Sequence, residues 1–596
     1  MSPPPTATTR RINFRFSATG EYAACLAAHG RARLMPELWD LTGPAPRPRL
    51  LPTRDGEDSW TFPLPAGDVG VLLCRHGKQS ARLLLAVPGT DGAPAEEHEL
   101  FASRGPGLGL VGGIAPGTAA LLFENGEGRR TKVWRVSGHA EPPEPVAELT
   151  GPAGGGVWLD ADGRRLALAR PEPGAGGTFV LDLATGLSAP LEGVADGEHL
   201  LMAAPRTGVL LTAARRDGAF RLGVRHRDDP APTVFPERLN RIEGSVTPLA
   251  LDPGGRCLAL SVARRSRSHL LLHDLVADTT VEAELPAGTL QPTARWTTGG
   301  LHLLHTTPDR PLGVVTLPDP LRSRVRATAE EQPGRWIAAR TVDYPGPVEA
   351  IVYGDPVASE RVVLALHGGP EAAWHFGFEP LFQRMAAAGM AVVAPNQRGS
   401  TGYGAAHRDA IRGAWGGPDL ADILRLGRTL ADARGPGRRP MLYGISYGAY
   451  LALLAVAAEP DLWARAAVIA PFLSGGELYR DGPPSVRALL DRLGGRVELD
   501  DELGPRDLAR LADRMRLPIM IVHGEQDPVI PVAHSRRLHS RLLAAAHPVA
   551  PVYLEIPGSD HDPLVSSEGH LVADRLIDFL SEGATRILHQ GTSVPA

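Results

Sequence analysis

The sequence predicts a seven-bladed β-propeller followed by a doubly wound, mostly parallel α/β sheet. Two observations predict this architecture. The first is a repeat of 45 to 50 residues in the first half of the chain. The second is a set of short apolar runs in the second half, spaced as alternating strands and helices would be. At 596 residues the chain is long enough for two domains, which we place at 1–330 and 331–596.

Short hydrophobic strands flank a turn glycine in each copy of the repeat. Successive glycines are separated by 47, 50, 46, 45, 47 and 45 residues. A period in the mid-forties, with about four strands per unit, is typical of propeller blades. Seven copies predict seven blades, marked by Gly20, Gly67, Gly117, Gly163, Gly208, Gly255 and Gly300.

The most informative feature of the second half is a G-x-S-x-G run centred on Ser446. A strand-like segment, 441–443, leads into it, and a helix-forming segment, 449–458, leads away. This context predicts a nucleophile elbow, the tight strand-to-helix turn of the α/β-hydrolase domain. The N-terminus of the following helix favours negative charge near the serine oxygen.

A serine hydroxyl needs a base, and the base needs an orienting acid. In elbow hydrolases these residues follow the serine in the order acid, then histidine. Asp527 comes just after a buried strand-like run, 517–522, and His561 lies in the loop after another, 551–556. We therefore expect Ser446, Asp527 and His561 to form a catalytic triad.

A further apolar strand, 362–366, ends in the glycine-rich run 367–370. Elbow hydrolases take one oxyanion donor from such a loop and the other from the residue after the nucleophile. We assign these donors to the backbone N–H groups of Gly369, with Gly368 as the alternative, and Tyr447.

The run Pro-Asn-Gln-Arg-Gly-Ser-Thr-Gly-Tyr-Gly at 395–404 resembles a motif of the prolyl oligopeptidase family, in its acylaminoacyl-peptidase-like branch. The runs at 367–370 and 444–448 resemble the same family, and the likeness extends over about 360–582. The resemblance implies a serine peptidase in which a β-propeller caps an α/β-hydrolase domain. It also implies cleavage of short peptides of the acylaminoacyl, aminoacyl or dipeptidyl type.

Two departures from the family pattern bear on specificity. Val529 stands where the family usually has an arginine that holds a backbone carbonyl of the peptide. Asp560 and Asp562 flank His561, where the family commonly has glycines. Two alternatives therefore stay open. One is a retuned member that hydrolyses or transfers the acyl group of a specialised small amide or ester. The other is a non-catalytic binding protein on a hydrolase scaffold.

Several side chains near these motifs are candidates for lining the acyl pocket, although core packing explains each about as well. They are Trp374, Phe376, Tyr403, Phe472, Tyr479 and Val529.

Composition limits the partners. The net charge of −5 is spread along the chain, which argues against nucleic-acid binding. No apolar run approaches the roughly 20 residues needed to span a membrane. Three cysteines without metal-ligand spacing indicate reduced thiols, no metal and no cofactor. We expect a cytoplasmic protein that acts on a short peptide or a small amide or ester; a homo-oligomeric state stays open.

Overall fold

The structure is a computed structural model. It describes residues 9–581 apart from 30–32, 55, 58–59, 78, 91–92, 106, 127–129, 170–176, 196, 321–335, 500, 546–548 and 567.

Within these residues the first half forms seven antiparallel sheets, which confirms the predicted number of blades. Five sheets have four strands and two have three. In chain order the strands are β1 Thr9–Phe16, β2 Tyr22–His29, β3 Met35–Asp40 and β4 Arg47–Leu50 (blade 1); β5 Thr61–Pro65, β6 Val71–His76, β7 Ala81–Val87 and β8 Glu96–Ser103 (blade 2); β9 Leu108–Gly112, β10 Ala120–Gly126, β11 Arg130–Val136 and β12 Glu144–Thr150 (blade 3); β13 Gly154–Trp158, β14 Arg165–Ala169, β15 Thr178–Asp182 and β16 Ser188–Pro190 (blade 4); β17 Glu198–Ala204, β18 Val209–Arg216 and β19 Ala219–His226 (blade 5); β20 Ser245–Leu251, β21 Cys257–Arg264, β22 Arg267–Asp274 and β23 Thr279–Ala283 (blade 6); and β24 Thr289–Thr297, β25 Gly300–Thr307 and β26 Arg310–Leu317 (blade 7).

Each of the seven repeat glycines lies where the first strand of a blade turns into the second. All seven have positive φ, between 66° and 135°, a conformation that glycine adopts without steric cost. At Gly20 a Cβ atom would also lie 2.3 Å from Cγ2 of Thr297 in blade 7. The repeat in the sequence is therefore a repeat of tight turns.

Each described propeller sheet is built from consecutive strands, so none of them combines strands from the two ends of the propeller. Blades 1 and 7 are instead joined by side-chain packing. Phe14 and Trp39 of blade 1 share a buried cluster with Leu304 and Val314 of blade 7. Across the same junction, Nη1 of Arg11 donates a hydrogen bond of 3.1 Å to the backbone oxygen of Leu312.

The second domain is built on one eight-stranded sheet with the order β27-β28-β30-β29-β31-β32-β33-β34. The six strands β29 to β34 pair with one another in parallel. β28 pairs antiparallel with both of its neighbours, β27 and β30. This confirms the mostly parallel sheet. The strands are β27 Ala339–Tyr344, β28 Val348–Tyr353, β29 Arg361–Leu366, β30 Met390–Asn396, β31 Met441–Ile445, β32 Ala466–Ile469, β33 Ile519–Gly524 and β34 Val552–Ile556. The helices are α1 Pro380–Ala387, α2 Ala405–Asp409, α3 Pro418–Arg434, α4 Tyr447–Ala458, α5 Gly475–Asp481, α6 Pro484–Leu493, α7 Ala533–Ala544 and α8 Gly569–Ser581.

Helices cover both faces of this sheet because alternate side chains of its strands point to opposite sides. Leu364 and Leu366 of β29 pack into a buried cluster with α3 and α4. Val363 and Ala365, on the other face of the same strand, pack with α1 and α8. With both faces buried, the strands are almost continuously apolar, which is why they were recognisable in the sequence.

The turn between β21 and β22 in blade 6 contacts the second domain. The N–H of Arg265 donates to the backbone oxygen of Gly402 at 2.7 Å, and the N–H of Phe376 donates to that of Ser266 at 2.7 Å. Nε of Arg265 lies 2.9 Å from Oε2 of Glu349, and its guanidinium also pairs with Asp343. A Cβ atom on Gly402 would lie 2.4 Å from the Arg265 oxygen, so a side chain there would force this contact between the domains to shift.

The predicted boundary between residues 330 and 331 falls outside the described residues and stays a prediction. The propeller's last described strand ends at Leu317, and the first strand of the large sheet begins at Ala339. Within the described ranges, none of the helices combines the length and the apolar character needed to cross a bilayer.

Candidate active site

Ser446 occupies the turn between β31 and α4, with φ 56° and ψ −118°. A non-glycine residue rarely adopts a positive φ, and such strain is common at functional sites. The turn brings the strand and the helix very close together. A Cβ atom on Gly444 would lie 2.3 Å from the Gly448 oxygen, and one on Gly448 would lie 2.3 Å from the Leu366 oxygen. Both glycines of the G-x-S-x-G run are therefore needed to place a half-buried serine at this edge of the sheet.

Asp527 and His561 lie on the loops after β33 and β34, which are neighbours in the sheet. Nδ1 of His561 and Oδ2 of Asp527 are 2.7 Å apart. The aspartate side chain has no exposed surface, and the histidine side chain is 25% exposed. The imidazole is thus held on one side by a buried carboxylate, while its other side remains accessible.

The Asp527 carboxylate is fixed on several sides. Its Oδ1 atom accepts hydrogen bonds from the N–H groups of Val529 at 2.7 Å and Ile530 at 2.9 Å. Its Oδ2 atom also lies 3.1 Å from Nε2 of His523. Burial by itself would raise the pKa of Asp527, but the hydrogen bonds from His523, His561 and the Ile530 amide outweigh it and hold the pKa well below its usual range. The carboxylate therefore stays ionised.

His523 is a supporting residue that the sequence analysis did not single out. Its side chain has no exposed surface, and its Nδ1 atom lies 2.7 Å from the Ser535 hydroxyl. Nε2 faces two acceptors, the Asp527 carboxylate and the Ile530 oxygen at 2.9 Å, so it must carry a proton. The signal in the sequence was a histidine at the end of a buried strand, four residues before the acid.

In sheet order, Ser446 follows β31, two strands from Asp527 and three from His561. Backbone hydrogen bonds join each of these strand ends to the next one in the sheet. The Ser446 N–H donates to the Ile469 oxygen at 2.8 Å, and the Ala470 N–H donates to the Val522 oxygen at 2.9 Å. Among the described residues, no hydrogen bond joins the Ser446 hydroxyl to His561. Such bonds are often long in free enzymes and shorten when substrate binds.

The glycine-rich loop after β29 lies against the elbow. A Cβ atom on Gly368 would lie 3.4 Å from that of Ser446. Gly369 has φ 123°, which favours glycine. His367 anchors the loop: Nδ1 contacts the Gly368 oxygen at 2.7 Å, and Nε2 contacts the Ser400 hydroxyl at 2.8 Å. Burial lowers the pKa of His367 to about 4, so this anchor is neutral near pH 7.

The side chain of Tyr447 points away from the serine into the core. Its hydroxyl donates a hydrogen bond of 2.5 Å to Oδ2 of Asp419, which lies in the first turn of α3. Asp419 has no exposed surface, and burial raises its pKa to about 6. The phenol fixes the first turn of α4 and so orients the backbone N–H of Tyr447. In the described part of the chain, neither this N–H nor that of Gly369 donates to a protein acceptor.

Four of the six side chains considered for the acyl pocket make other contacts, and their place in a pocket stays a prediction. Phe472 stacks on Tyr450 in the core, with ring centroids 4.3 Å apart. Nε1 of Trp374 donates to the Ala365 oxygen at 2.7 Å, and its ring packs on α1. Core packing and backbone hydrogen bonding, which the sequence left as the alternative, account for these two.

The other two of the four lie at the domain interface. Phe376 is buried beneath the guanidinium of Arg267 in the propeller, 4.6 Å from its ring centroid. Tyr403 donates to Oε1 of Glu349 at 2.9 Å, beside Arg265. The remaining candidates, Tyr479 and Val529, are half-buried, and their place in a pocket stays a prediction.

The motif at 395–404 organises the loops behind the site. Nε of Arg398 donates to Oδ2 of Asp422 at 2.9 Å, and Nη2 donates to Oδ1 at 2.7 Å. Asn396 exchanges hydrogen bonds with the backbone of Trp374 at 2.7 and 2.9 Å, and its Nδ2 atom also donates to Tyr403 at 2.8 Å. These side chains hold the segment that follows Gly369.

Residues 374–584 match the model of the prolyl oligopeptidase family. The matched segment contains the elbow, Asp527, His561 and the whole of the 395–404 motif. Residues 374–584 belong to the prolyl oligopeptidase family.

Curated relatives match part of the chain. Dipeptidyl peptidase family member 6 of Caenorhabditis elegans is 32% identical over 249 residues, 40% of this chain and 33% of the relative. Dipeptidyl aminopeptidase BIII of Pseudoxanthomonas mexicana is 29% identical over 221 residues, 35% of this chain and 31% of the relative. The chain spans about a third of the length of these relatives.

Solved structures are similar to both domains together. A puromycin-hydrolysing peptidase of Mycobacterium tuberculosis has a TM-score of 0.66 at 18% identity, covering 96% of this chain and 94% of its own. The acylaminoacyl peptidase of Pyrococcus horikoshii has a TM-score of 0.71 at 14% identity, covering 98% and 97%. At these identities the likeness shows a shared fold, a β-propeller joined to an α/β-hydrolase domain.

Proposed function

We propose that the protein is a serine hydrolase that cleaves amide bonds of short peptides through an acyl-enzyme intermediate. The observation that carries the proposal is the 2.7 Å contact between Nδ1 of His561 and the buried Asp527, at the sheet edge where Ser446 occupies a strained elbow. A serine, a buried carboxylate and an imidazole, in that order along the chain, are the three groups of a nucleophilic triad in elbow hydrolases. The prolyl oligopeptidase sequence of residues 374–584 supports the same assignment.

In the proposed reaction the Ser446 oxygen attacks the substrate carbonyl, and Nε2 of His561 takes the hydroxyl proton. Asp527 accepts the hydrogen bond from Nδ1 and stabilises the imidazolium that forms. His561 then gives the proton to the leaving amine as the carbon–nitrogen bond breaks, which leaves an acyl ester on Ser446. A water molecule, activated by His561, hydrolyses the ester and releases the acid.

The oxyanion of the tetrahedral intermediate would be held by the N–H groups of Gly369 and Tyr447. Neither group has a protein acceptor among the described residues, and each adjoins the elbow. One such donor is worth about 10²–10³ in turnover. The α4 helix contributes its N-terminal dipole at the same point.

A cavity of about 1110 Å³ between the domains fits a substrate of limited size. On the hydrolase side, Gln526 and Pro528 flank the triad acid, and Asp560 and Asp562 flank the histidine. On the propeller side it is lined by β1, β2 and residues of blade 2. We infer that short peptides reach the triad from between the domains, and that folded proteins do not.

A panel of acyl-aminoacyl, aminoacyl and dipeptidyl chromogenic amides tests the proposal. We expect hydrolysis of at least one class, with kcat reduced by about 10⁴-fold or more in Ser446→Ala. Ser540→Ala is the matched control, because Ser540 is exposed on α7 and hydrogen-bonds only to the Arg536 oxygen. Amide hydrolysis that survives in Ser446→Ala would refute the assigned nucleophile.

Val529 favours a second candidate, the hydrolysis of a specialised small amide or ester. Its side chain cannot donate the hydrogen bond by which the family's arginine holds a peptide backbone, and it packs against the core instead. Puromycin, the substrate named for one structural neighbour, belongs in the panel for this reason. If small amides are cleaved and peptides are not, Val529→Arg should raise kcat/KM for peptides more than for small amides.

A further inference from the structure

The inner strands of the propeller enclose a second cavity, of about 490 Å³. Strands β1, β5, β9, β13 and β24 contribute to its wall, so five of the seven blades face it. The wall formed by β9 and β13 is rich in glycine, at Gly109, Gly112 and Gly154–Gly156. Backbone groups are therefore unusually close to the space inside.

Two arginines project into this cavity. Arg15 leaves β1 in blade 1 and crosses to blade 3, where its Nη1 atom donates to the Leu110 oxygen at 2.9 Å. Arg295 leaves β24 in blade 7 and donates to the Ala18 oxygen. The Nε atom of Arg295 is buried and has no hydrogen-bond partner among the described residues. Each guanidinium thus donates to one backbone oxygen and has further N–H groups that can donate to a ligand.

Neither arginine has a counter-ion in the described part of the chain. No aspartate or glutamate is among the described residues that line the cavity, and burial lowers the pKa of both guanidinium groups. An adjoining cavity, which Arg295 also borders, contains Glu21 and Asp252. Neither forms an ion pair with Arg295, and Asp252 accepts the N–H groups of its own turn.

Two uncompensated positive charges in a shared cavity are unfavourable unless an anion joins them. The planar guanidinium fork suits carboxylate and phosphate oxygens. We propose that this cavity binds a small oxyanion, either the carboxylate of a peptide or inorganic phosphate, between Arg15 and Arg295.

The position of the propeller cavity next to the interdomain cavity is the reason why a peptide is one of the two proposed sources of the oxyanion. Arg10, at the start of β1, lines the interdomain cavity, and Arg15 lies five residues further along the strand. Five residues of fully extended strand span at most about 16 Å, and the irregularity between Ile12 and Arg15 shortens that distance. A short peptide in the interdomain cavity can therefore extend its carboxylate end into the propeller. The anion site itself does not depend on the proposed catalytic roles.

Calorimetric titration of the full chain tests the site, in the Ser446→Ala background so that peptides stay intact. The probes are inorganic phosphate, triglycine and triglycine amide. We expect phosphate to bind, and its Kd to rise about tenfold or more in Arg15→Gln or Arg295→Gln. Arg206→Gln is the matched control, since this exposed arginine borders the adjoining cavity and is not among the described residues that line the proposed site. Binding of triglycine but not of its amide assigns the site to peptide carboxylates, and binding of phosphate alone assigns it to the free ion.

Thermal unfolding of the unmodified chain tests anion binding even if the glutamine variants misfold. Phosphate should raise the Tm of the unmodified chain more than sodium chloride of equal ionic strength does. The glutamine variants should melt no lower than the unmodified chain, because each loses an uncompensated buried charge. The proposal is overturned if neither phosphate nor triglycine binds, or if both arginine variants bind them as tightly as the control.

Discussion

His523 lies directly behind Asp527, with Nε2 of the imidazole 3.1 Å from Oδ2 of the carboxylate and neither side chain exposed. The same oxygen faces His561. The carboxylate that orients the proposed base is therefore itself oriented by a second histidine. This arrangement makes His523 a positioning residue for the proposed triad.

We predict that His523→Phe lowers kcat for amide hydrolysis by about 10- to 100-fold, because the carboxylate loses one charge-assisted hydrogen bond. Because the pKa of Asp527 rises when that donor is lost, the carboxylate should begin to protonate at the acid end of the pH–rate profile, and activity there should fall further than at pH 8. Kinetics from pH 4 to 8 measure both effects.

His534→Phe is the control for the loss of a buried imidazole. His534 is equally buried, and its Nδ1 atom accepts the Leu473 N–H at 3.2 Å, away from the triad. An equal loss of kcat in both variants, with no further fall at the acid end of the profile, would show that His523 acts only through stability.

The hydrogen bond between Tyr447 and Asp419 predicts an energetic coupling. Tyr447→Phe leaves a buried carboxylate oxygen without its donor and should lower the free energy of unfolding by about 1–3 kcal/mol. In Asp419→Asn the amide carries no charge, so a further Tyr447→Phe change should cost less. Urea unfolding of the two single variants and the double variant measures the coupling. Additive effects would show that the 2.5 Å contact contributes nothing.

Much of this architecture could be predicted from the sequence because single residues determine the local geometry. The seven turn glycines have positive φ, and the Ser446 turn leaves no room for a side chain at either flanking glycine. The pocket side chains could not be predicted in this way. Spacing along the chain does not show that Phe472 faces Tyr450, or that Phe376 lies under a propeller arginine. Those contacts depend on how helices and domains pack.

The blade 6 turn predicts a dependence of catalysis on the propeller. Arg265 binds Glu349, which accepts from Tyr403, which in turn accepts from Asn396 behind the Gly369 loop. Arg265→Asn, which tolerates the positive φ at this position, should lower interdomain stability by about 1 kcal/mol and reduce kcat with little change in KM.

Arg264→Asn is the matched control, because the neighbouring arginine is 42% exposed and makes only a 3.9 Å contact with Glu282 and a long bond to the Glu243 oxygen. Arg265→Lys should restore part of the activity. If the two asparagine variants have the same kcat, the contact between Arg265 and Glu349 does not affect catalysis.

Buried histidines predict a loss of stability in acid. Burial lowers the pKa of His302, His305, His367 and His534 to about 4, from an ordinary value of 6.5. On acidification the unfolded chain takes up protons that the folded protein does not, so their contribution is complete above pH 6.5 and is lost as the pH falls towards 4. Urea midpoints from pH 7.5 to 4.5 should fall, and His367→Gln should flatten the slope.

His139→Gln, at an exposed position, should leave that slope unchanged. A midpoint that does not vary between pH 7.5 and 4.5 would contradict the prediction.

Labelling with a fluorophosphonate, followed by peptide mapping, tests the assigned nucleophile most directly. The reagent phosphonylates a serine only where a base activates its hydroxyl and donors hold the resulting oxyanion. We predict one label per chain, on Ser446, and at least a hundredfold slower labelling in His561→Ala. A chain that stays unlabelled, or carries its label on another serine, would contradict the account.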